Sequence, residues 1–310
     1  ISKYKRRIEH YLGKDAITYD HIEALHDLGY LPIEILAVSE GELVPIGVPS
    51  MVIMNTKPEF FWLTNFLETI LSCCIWQSIT SATLAFEYRK LLTKYAKKTV
   101  GNDSFVPFQG HDFSMRGMSS LESACMSGAG HLLSFVGTDT IPTIDYLEEY
   151  YNANCETELI GCSVPATEHS VMCMGGKDDE IGTFEHLLSL YPKGIVSVVS
   201  DTWDFWKVIT EFLPQLRDKI MARDGKLVIR PDSGDPVDII CGIHPLDLNN
   251  THTEPERKGL IECLWETFGG TYSPQGFRVL DSHIGAIYGD SITLTRAKEI
   301  CERLEKKGFA

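Results

Sequence analysis

Asp112 and Arg116 stand four residues apart in "HDFSMRGMSS"; Asp139 falls in "GTDT", His169 in "SVPATEHS" and Asp201 in "VSVVSDTWD". Arg230 and Asp232 share "IRPDSGDP", and Gly289 and Asp290 share "YGDSI". Carboxylates recur in this set, joined by two arginines, one histidine and several glycines. Gathered on one rim, they would suit a phosphorylated ligand with several hydroxyls. A guanidinium clamps phosphate, carboxylates accept from sugar hydroxyls or metal-bound water, and glycine lets the backbone approach closely. Taken singly, each has a plainer use. Asp139 or Asp201 would serve as a helix N-cap, "RPDSGDP" or Gly289-Asp290 as a turn, and His169 as a packed histidine. Their repetition at successive strand ends weighs against the plain readings.

The elements that position these residues follow from hydrophobic rhythm. From about residue 109, short apolar runs end in polar or glycine-containing loops and pass into helical patterns, about six times in succession. That alternation predicts an α/β fold with parallel strands, whose functional groups sit where strands end and helices begin. A capping box, Ser119 with Glu122, marks one helix start. Upstream, residues 1–29 read as two helical segments stopped by Gly29, followed by strands at Ile33–Val38 and Met51–Met54. A long apolar helical region runs from Lys57 to about Tyr95. The chain therefore divides into a mixed α+β domain, 1–108, and a βα-repeat domain, 109–310. A helix is placed at about Glu254–Phe268, and the loop-rich stretch Gly242–Ser273 around it has no assigned role. A closed barrel normally has eight βα units, so the expectation is an irregular α/β barrel, or one with strands missing beyond Ala310.

Composition narrows the function classes. The formal net charge of -15 and pI near 5.1 oppose nonspecific nucleic-acid binding. Nine cysteines, an odd number with no C-x-x-C pair, point to reduced thiols and a cytoplasmic setting rather than a disulfide framework or zinc site. The apolar run Phe60–Ile79 is interrupted by Thr64, Asn65, Glu68 and Gln77, so no transmembrane span and no membrane partner are expected. The N-terminus lacks a signal-peptide pattern and begins inside a helix-like segment.

The motifs quoted above, in their order and spacing, resemble the nicotinamide phosphoribosyltransferases, members of the type II phosphoribosyltransferase family. "LPIEILAVSEGELVPIG" and "FFWLTNFLETIL" extend the resemblance upstream over nearly the whole chain. It implies transfer of the 5-phosphoribosyl group of 5-phosphoribosyl-1-pyrophosphate (PRPP) to nicotinamide, giving nicotinamide mononucleotide and pyrophosphate. It also implies a barrel-like α/β domain beside a smaller mixed one, in a homodimer with active sites at the subunit interface. Mg²⁺ would accompany PRPP or pyrophosphate, no metal-ligating side chain is singled out, and ATP would activate by phosphorylating His169.

Residue by residue, the resemblance implies that Phe113 stacks on the nicotinamide ring and Arg116 holds phosphate. Asp139 would accept a hydrogen bond from the carboxamide, with Val164 and Ser197 lining the base pocket. Arg230 and Asp232 would meet the base or phosphate and the ribose hydroxyls, and Gly289 with Asp290 the product's ribose-phosphate side. Asp201 would support His169. A carboxylate at Asp139 repels nicotinate, which favours nicotinamide as the base. Ser114 and Met115 depart from the family pattern beside the stacking residue. The family's N-terminal base-covering Tyr would precede this chain, and a Gly-rich loop with a further phosphate-binding Arg would follow it, so the chain reads as incomplete at both ends. Two alternatives stand beside this reading: a nicotinate phosphoribosyltransferase, and a non-catalytic relative that binds nucleotide or a protein partner.

Overall fold

Helices Ser2–Leu12 and Asp20–Leu28 open the chain, and Gly29 ends the second with a left-handed φ of 79°, its N–H reaching the carbonyls of Leu25 and His26. Only glycine adopts that conformation without a steric cost, which is why the helix stops there. Strands β1 (Ile33–Ala37) and β2 (Met51–Asn55) pair antiparallel. The computed structural model describes residues 1–247, 249 and 251–310, and resolves into one compact unit at Ile1–Ile79 and another at Thr80–Ala310. Helix Leu63–Thr99 runs across that division.

The first unit buries little: among the described residues its buried side chains are Tyr19, Pro32, Phe60 and Leu63. Leu36, Leu43, Phe61, Phe66 and Trp76 are exposed. The long helix passes the length and composition requirements for a membrane span and is almost wholly unburied in its apolar part. The polar residues on which the sequence expectation of no span rests, Thr64, Asn65, Glu68 and Gln77, all lie inside this helix.

The second unit carries β3 (His111–Asp112), β4 (Gly137–Thr138), β5 (Lys193–Val199), β6 (Asp224–Arg230), β7 (Gly270–Tyr272), β8 (Arg278–Leu280) and β9 (Ile284–Ala286). β3 runs parallel to β4, and Gly137 of β4 bridges to Cys162. Ala166, four residues on, bridges to Ser197 of β5, which pairs parallel with β6, and β6 with β9. Parallel neighbours thus succeed one another in chain order, each new segment joining the same advancing edge. Helices intervene between them, so this unit is an α/β fold. The nine cysteines are all free thiols.

β5 and β6 show why the parallel segments are apolar without alternation. Val196, Val198 and Val199 are fully buried, as are Leu227 and Ile229, in one cluster that also takes in side chains from the helices. Helices Glu180–Leu190, Leu213–Met221 and Leu260–Phe268 supply the packing partners Phe184, Leu213, Leu216 and Leu264.

Several local expectations are corrected. The helix after β3 is Leu121–Leu132 and its cap is Ser120, not Ser119: Ser120 lies extended and its hydroxyl accepts from the Ser123 N–H at 3.1 Å. Glu122 therefore falls one position early for a capping box. The single helix expected over Glu254–Phe268 is two, Glu254–Lys258 and Leu260–Phe268, broken at Gly259 with φ 82°. The antiparallel pairing of β7 with β8 was not foreseen. Leu248 and Asn250, in the unassigned stretch Gly242–Ser273, lie outside the described residues. Downstream of β5 the helix widens into a π turn at Val208–Phe212, just ahead of Pro214. Proline lacks the N–H for the regular ladder and crowds the preceding turn, so the local widening has a plain cause.

Candidate active site

The strand ends of the second unit bring the chemistry-bearing residues together. β3 ends in Asp112, whose side chain is a fastener and not a ligand group. Its Oδ1 accepts from the Ser114 N–H at 2.8 Å and its Oδ2 from the Thr140 hydroxyl at 2.9 Å. It thereby ties the end of β3 to the loop after β4 and holds Phe113 and Asp139 at fixed spacing.

Phe113 lies beneath Arg230, whose guanidinium carbon sits 5.2 Å from the ring centroid. Arg230 makes a two-point pair with Asp232, Nη2 to Oδ2 at 2.9 Å and Nε to Oδ1 at 3.3 Å. Both side chains are largely buried. Gly289, just after β9, closes over the same group. A Cβ placed there would stand 3.2 Å from Asp232 Oδ1, 3.7 Å from Phe113 Cε2 and 3.8 Å from Arg230 Nε. Phe113, Arg230, Asp232 and Gly289, distant in sequence, therefore form one tight cluster.

Asp139 sits beside that cluster. Its Oδ1 accepts from Ser163 Oγ at 2.5 Å and lies 2.8 Å from His111 Nε2. The His111 bond above all, with Ser163 and the positive charge of Arg230, holds the Asp139 carboxyl below the ordinary carboxylate value, although partial burial pushes the other way. Asp139 is therefore an ionised acceptor across the neutral pH range.

A second linked set adjoins the first. His169 opens a short helix, His169–Met172, and its Nε2 lies 3.2 Å from Asp201 Oδ1. The imidazole side chain is 46% exposed, while Asp201's is 5% exposed. Asp201 Oδ2 accepts from the Asp232 N–H at 2.8 Å and from the Ser233 hydroxyl at 2.6 Å. One carboxylate thus orients both the histidine and the loop that carries Asp232. Asp235 is the N-cap of helix Pro236–Cys241, accepting from Val237 N–H at 2.9 Å and Asp238 N–H at 3.4 Å.

The remaining expected residues lie less centrally. Arg116 is well exposed and pairs at 2.7 Å with Glu168, the residue before His169. Ser197 is buried in β5 with a hydroxyl that finds no partner among the described residues. Val164 is half-buried in the segment between β4 and β5, and Asp290 is exposed, accepting from the Ser291 hydroxyl at 2.9 Å. Three contributors were missed from sequence: His111, Ser163 and Tyr288. Tyr288 donates to the carbonyls of Ser233 at 2.8 Å and Gly234 at 3.1 Å. Burial, then the negative charges of Asp201, Asp290, Asp232 and Asp235, raise its phenol to about 12, so it stays a donor. All three lie inside or next to the quoted motifs, but nothing in residue type alone separates them from packing residues.

In chemical terms the site offers an aromatic face, an ionised acceptor at its side, a held guanidinium–carboxylate pair and a glycine that admits a close ligand. It suits a flat heteroaromatic ring bearing an N–H donor, joined to a hydroxylated sugar.

Comparison with known proteins places the site in context. The profile of the nicotinate phosphoribosyltransferase (NAPRTase) family matches residues 108–310. The nicotinamide phosphoribosyltransferase of Acinetobacter baylyi is 54% identical over 100% of this chain, which covers 61% of that relative. The protein of the same name from Mycoplasma pneumoniae is 38% identical over 90% of the chain and 58% of the relative. That from Xanthomonas campestris is 35% identical over 91% of the chain and 56% of the relative. The chain thus spans from 56% to 61% of the length of these curated relatives.

Proposed function

The chain belongs to the nicotinate phosphoribosyltransferase family, and from its site we infer that it transfers the 5-phosphoribosyl group of PRPP to nicotinamide, forming nicotinamide mononucleotide and pyrophosphate. The observation that carries the choice of base is Asp139, an ionised acceptor anchored by His111 and Ser163 next to the Phe113–Arg230 stack. A carboxamide N–H is accepted there, whereas the carboxylate of nicotinate meets like charge. The curated relatives reported above carry the nicotinamide name, in agreement with this choice.

In the reaction, the nicotinamide ring nitrogen attacks the anomeric carbon of PRPP while the bond from that carbon to the pyrophosphate oxygen breaks. The ring nitrogen already has its lone pair, so no side chain need deprotonate it. Phe113 holds the ring by stacking and Asp139 turns it so that its nitrogen faces the sugar. Ser197 and Val164 line the base side. Asp232 keeps lone pairs beyond those used by Arg230, which supports hydrogen bonding to ribose hydroxyls and stabilisation of the cation-like sugar. Gly289 allows the sugar to approach, Asp290 lies on the ribose-phosphate side, and Arg116 is placed for phosphate. Mg²⁺ bound with the diphosphate would supply charge neutralisation for the departing pyrophosphate. The accessible imidazole of His169, oriented by Asp201, supports phosphorylation by ATP as an activating step.

The in-order parallel ladder supports an irregular α/β barrel at 109–310, with a smaller α+β domain at 1–108. The exposed apolar surface of residues 36–76 supports a homodimer with active sites at the interface, and free thiols support a cytoplasmic enzyme. Glu68 and Gln77 within the long helix favour a subunit contact over a bilayer, and the net charge of -15 disfavours nucleic acid.

The test is mononucleotide formation from PRPP and Mg²⁺ with nicotinamide or nicotinate, the Asp139→Ala variant run alongside. Nicotinamide is the expected base, with the variant depressed at least about tenfold, the worth of a charge-assisted hydrogen bond. Exclusive use of nicotinate, or an unimpaired variant, would overturn the reading.

A further inference from the structure

His111 touches both halves of the base site at once. Its ring lies 4.6 Å from the Phe113 ring, tilted by 32°, while its Nε2 bonds to Asp139 Oδ1. The ring is seated in a made niche: a Cβ at Gly137 would come within 2.7 Å of His111 Nδ1, so β4 carries glycine where the imidazole lies. The imidazole is well buried whereas Asp139 is partly open to solvent. Both hydrogen bonds to Asp139 fall on Oδ1, and Oδ2 takes part in none among the described residues.

We propose that His111 is the positioning residue that sets base selectivity, by locking the Asp139 carboxylate with Oδ2 presented to the base. This rests on the reading of Asp139 as acceptor of the carboxamide. The tautomer follows from the partner: a nitrogen facing an ionised carboxylate oxygen carries the hydrogen. With only Ser163 left as donor, the carboxylate can pivot about its own axis and take up a proton more readily. A protonated Asp139 can donate to a carboxylate, and a turned one no longer aims its acceptor at the amide, so discrimination falls.

The protein is compared with His111→Phe, His111→Gln and Asp139→Asn in paired kinetics on nicotinamide and nicotinate, thermal melting serving as the folding control. Phe keeps a ring against Phe113 but has no donor; Gln places an amide N–H near the position of Nε2. For His111→Phe, the nicotinamide-to-nicotinate ratio of kcat/KM is expected to drop about tenfold or more, as for loss of one charge-assisted bond. The change should appear in the KM for nicotinamide, leaving kcat and the KM for PRPP within about threefold. His111→Gln should restore most of the ratio. The acid limb of kcat/KM for nicotinamide should move to higher pH in His111→Phe, because Asp139 loses the bond that most depresses its proton affinity. Of the other groups acting on that carboxyl, Ser163 and Arg230, neither is altered.

A ratio unchanged in folded His111→Phe, while Asp139→Asn collapses it, overturns this proposal alone. A ratio unchanged in Asp139→Asn, or a protein that uses neither base, removes the functional reading beneath it and the proposal with it. Should His111→Phe fail to fold, His111→Gln decides: a folded variant that has lost the ratio overturns the assignment.

Discussion

The Tyr288 hydroxyl donates to the carbonyl oxygen of Ser233 at 2.8 Å, stitching the loop after β9 to the loop after β6. Those loops carry Gly289 and Asp232, which meet at the cluster over Phe113. Tyr288→Phe removes this tether, worth about 1 kcal/mol for a neutral hydrogen bond. The Asp201 bonds to Asp232 and Ser233 keep the loop folded. The expected result is a KM for PRPP raised severalfold with little change in melting temperature, read from initial rates at varied PRPP.

Arg230→Lys tests whether the pair with Asp232 depends on its two-point geometry. Lysine provides a point charge on a flexible stem and cannot match both carboxylate oxygens while lying over Phe113. Breaking a largely buried, hydrogen-bonded pair should lower kcat/KM by about 2 kcal/mol, or roughly thirtyfold. Circular dichroism should remain that of the parent, since Arg230 ends β6 instead of filling the core.

Glu180 provides a pH prediction. Burial, then the nearby charge of Asp204, with Asp201 adding and Lys207 opposing, raises its carboxyl to about 7. One carboxyl oxygen has no hydrogen-bond partner among the described residues. A raised carboxyl binds its proton more tightly in the folded chain. Its stability cost is therefore absent below the unfolded value, near about 4.5, and grows as pH climbs to about 7. Glu180→Gln should melt with the parent at pH about 4 and above it at pH about 8, by at most about 3 kcal/mol. Equal melting curves at both pH values would contradict the assignment.

Gly259→Ala should be severely destabilising. The residue has φ 82°, and a Cβ there would run into the backbone nitrogen of Gly242. Gly242, itself at φ 83°, meets the carbonyls of Arg257 and Lys258 in the same way. Two backbones cross where neither side tolerates a side chain, so a loss of about 3 kcal/mol or more is expected, seen in urea unfolding.

The strand ends were legible in sequence because a buried parallel strand reads as a short apolar run, as in "IVSVV" and "LVI", and each here gives way to a polar or glycine-containing loop. Arg230 and Asp232 share one motif, and the pairing of His169 with Asp201 was an implication of the family resemblance. What stayed hidden depended on distance in space. Nothing local marks Ser163 as a partner of Asp139 or Tyr288 as a clasp on Ser233. The helix placed over Glu254–Phe268 ran through Gly259, because the meeting of Gly259 with Gly242 is a contact between segments. Asp235, unassigned from sequence, proved to be a helix cap, the plainest use of an aspartate before proline.

The in-order ladder from β3 to β9 also imposes a timetable. As the chain leaves the ribosome, each parallel segment can dock on one already made, so the pairing of β5 with β6 is within reach before β9 is made. The base site is not. Phe113 emerges with the earliest segment and has to wait through the synthesis of every later one before Gly289 arrives to close over it. Until then its ring and the Arg230 guanidinium stand open, and a nascent chain halted just before β9 would carry most of the scaffold with an unformed pocket.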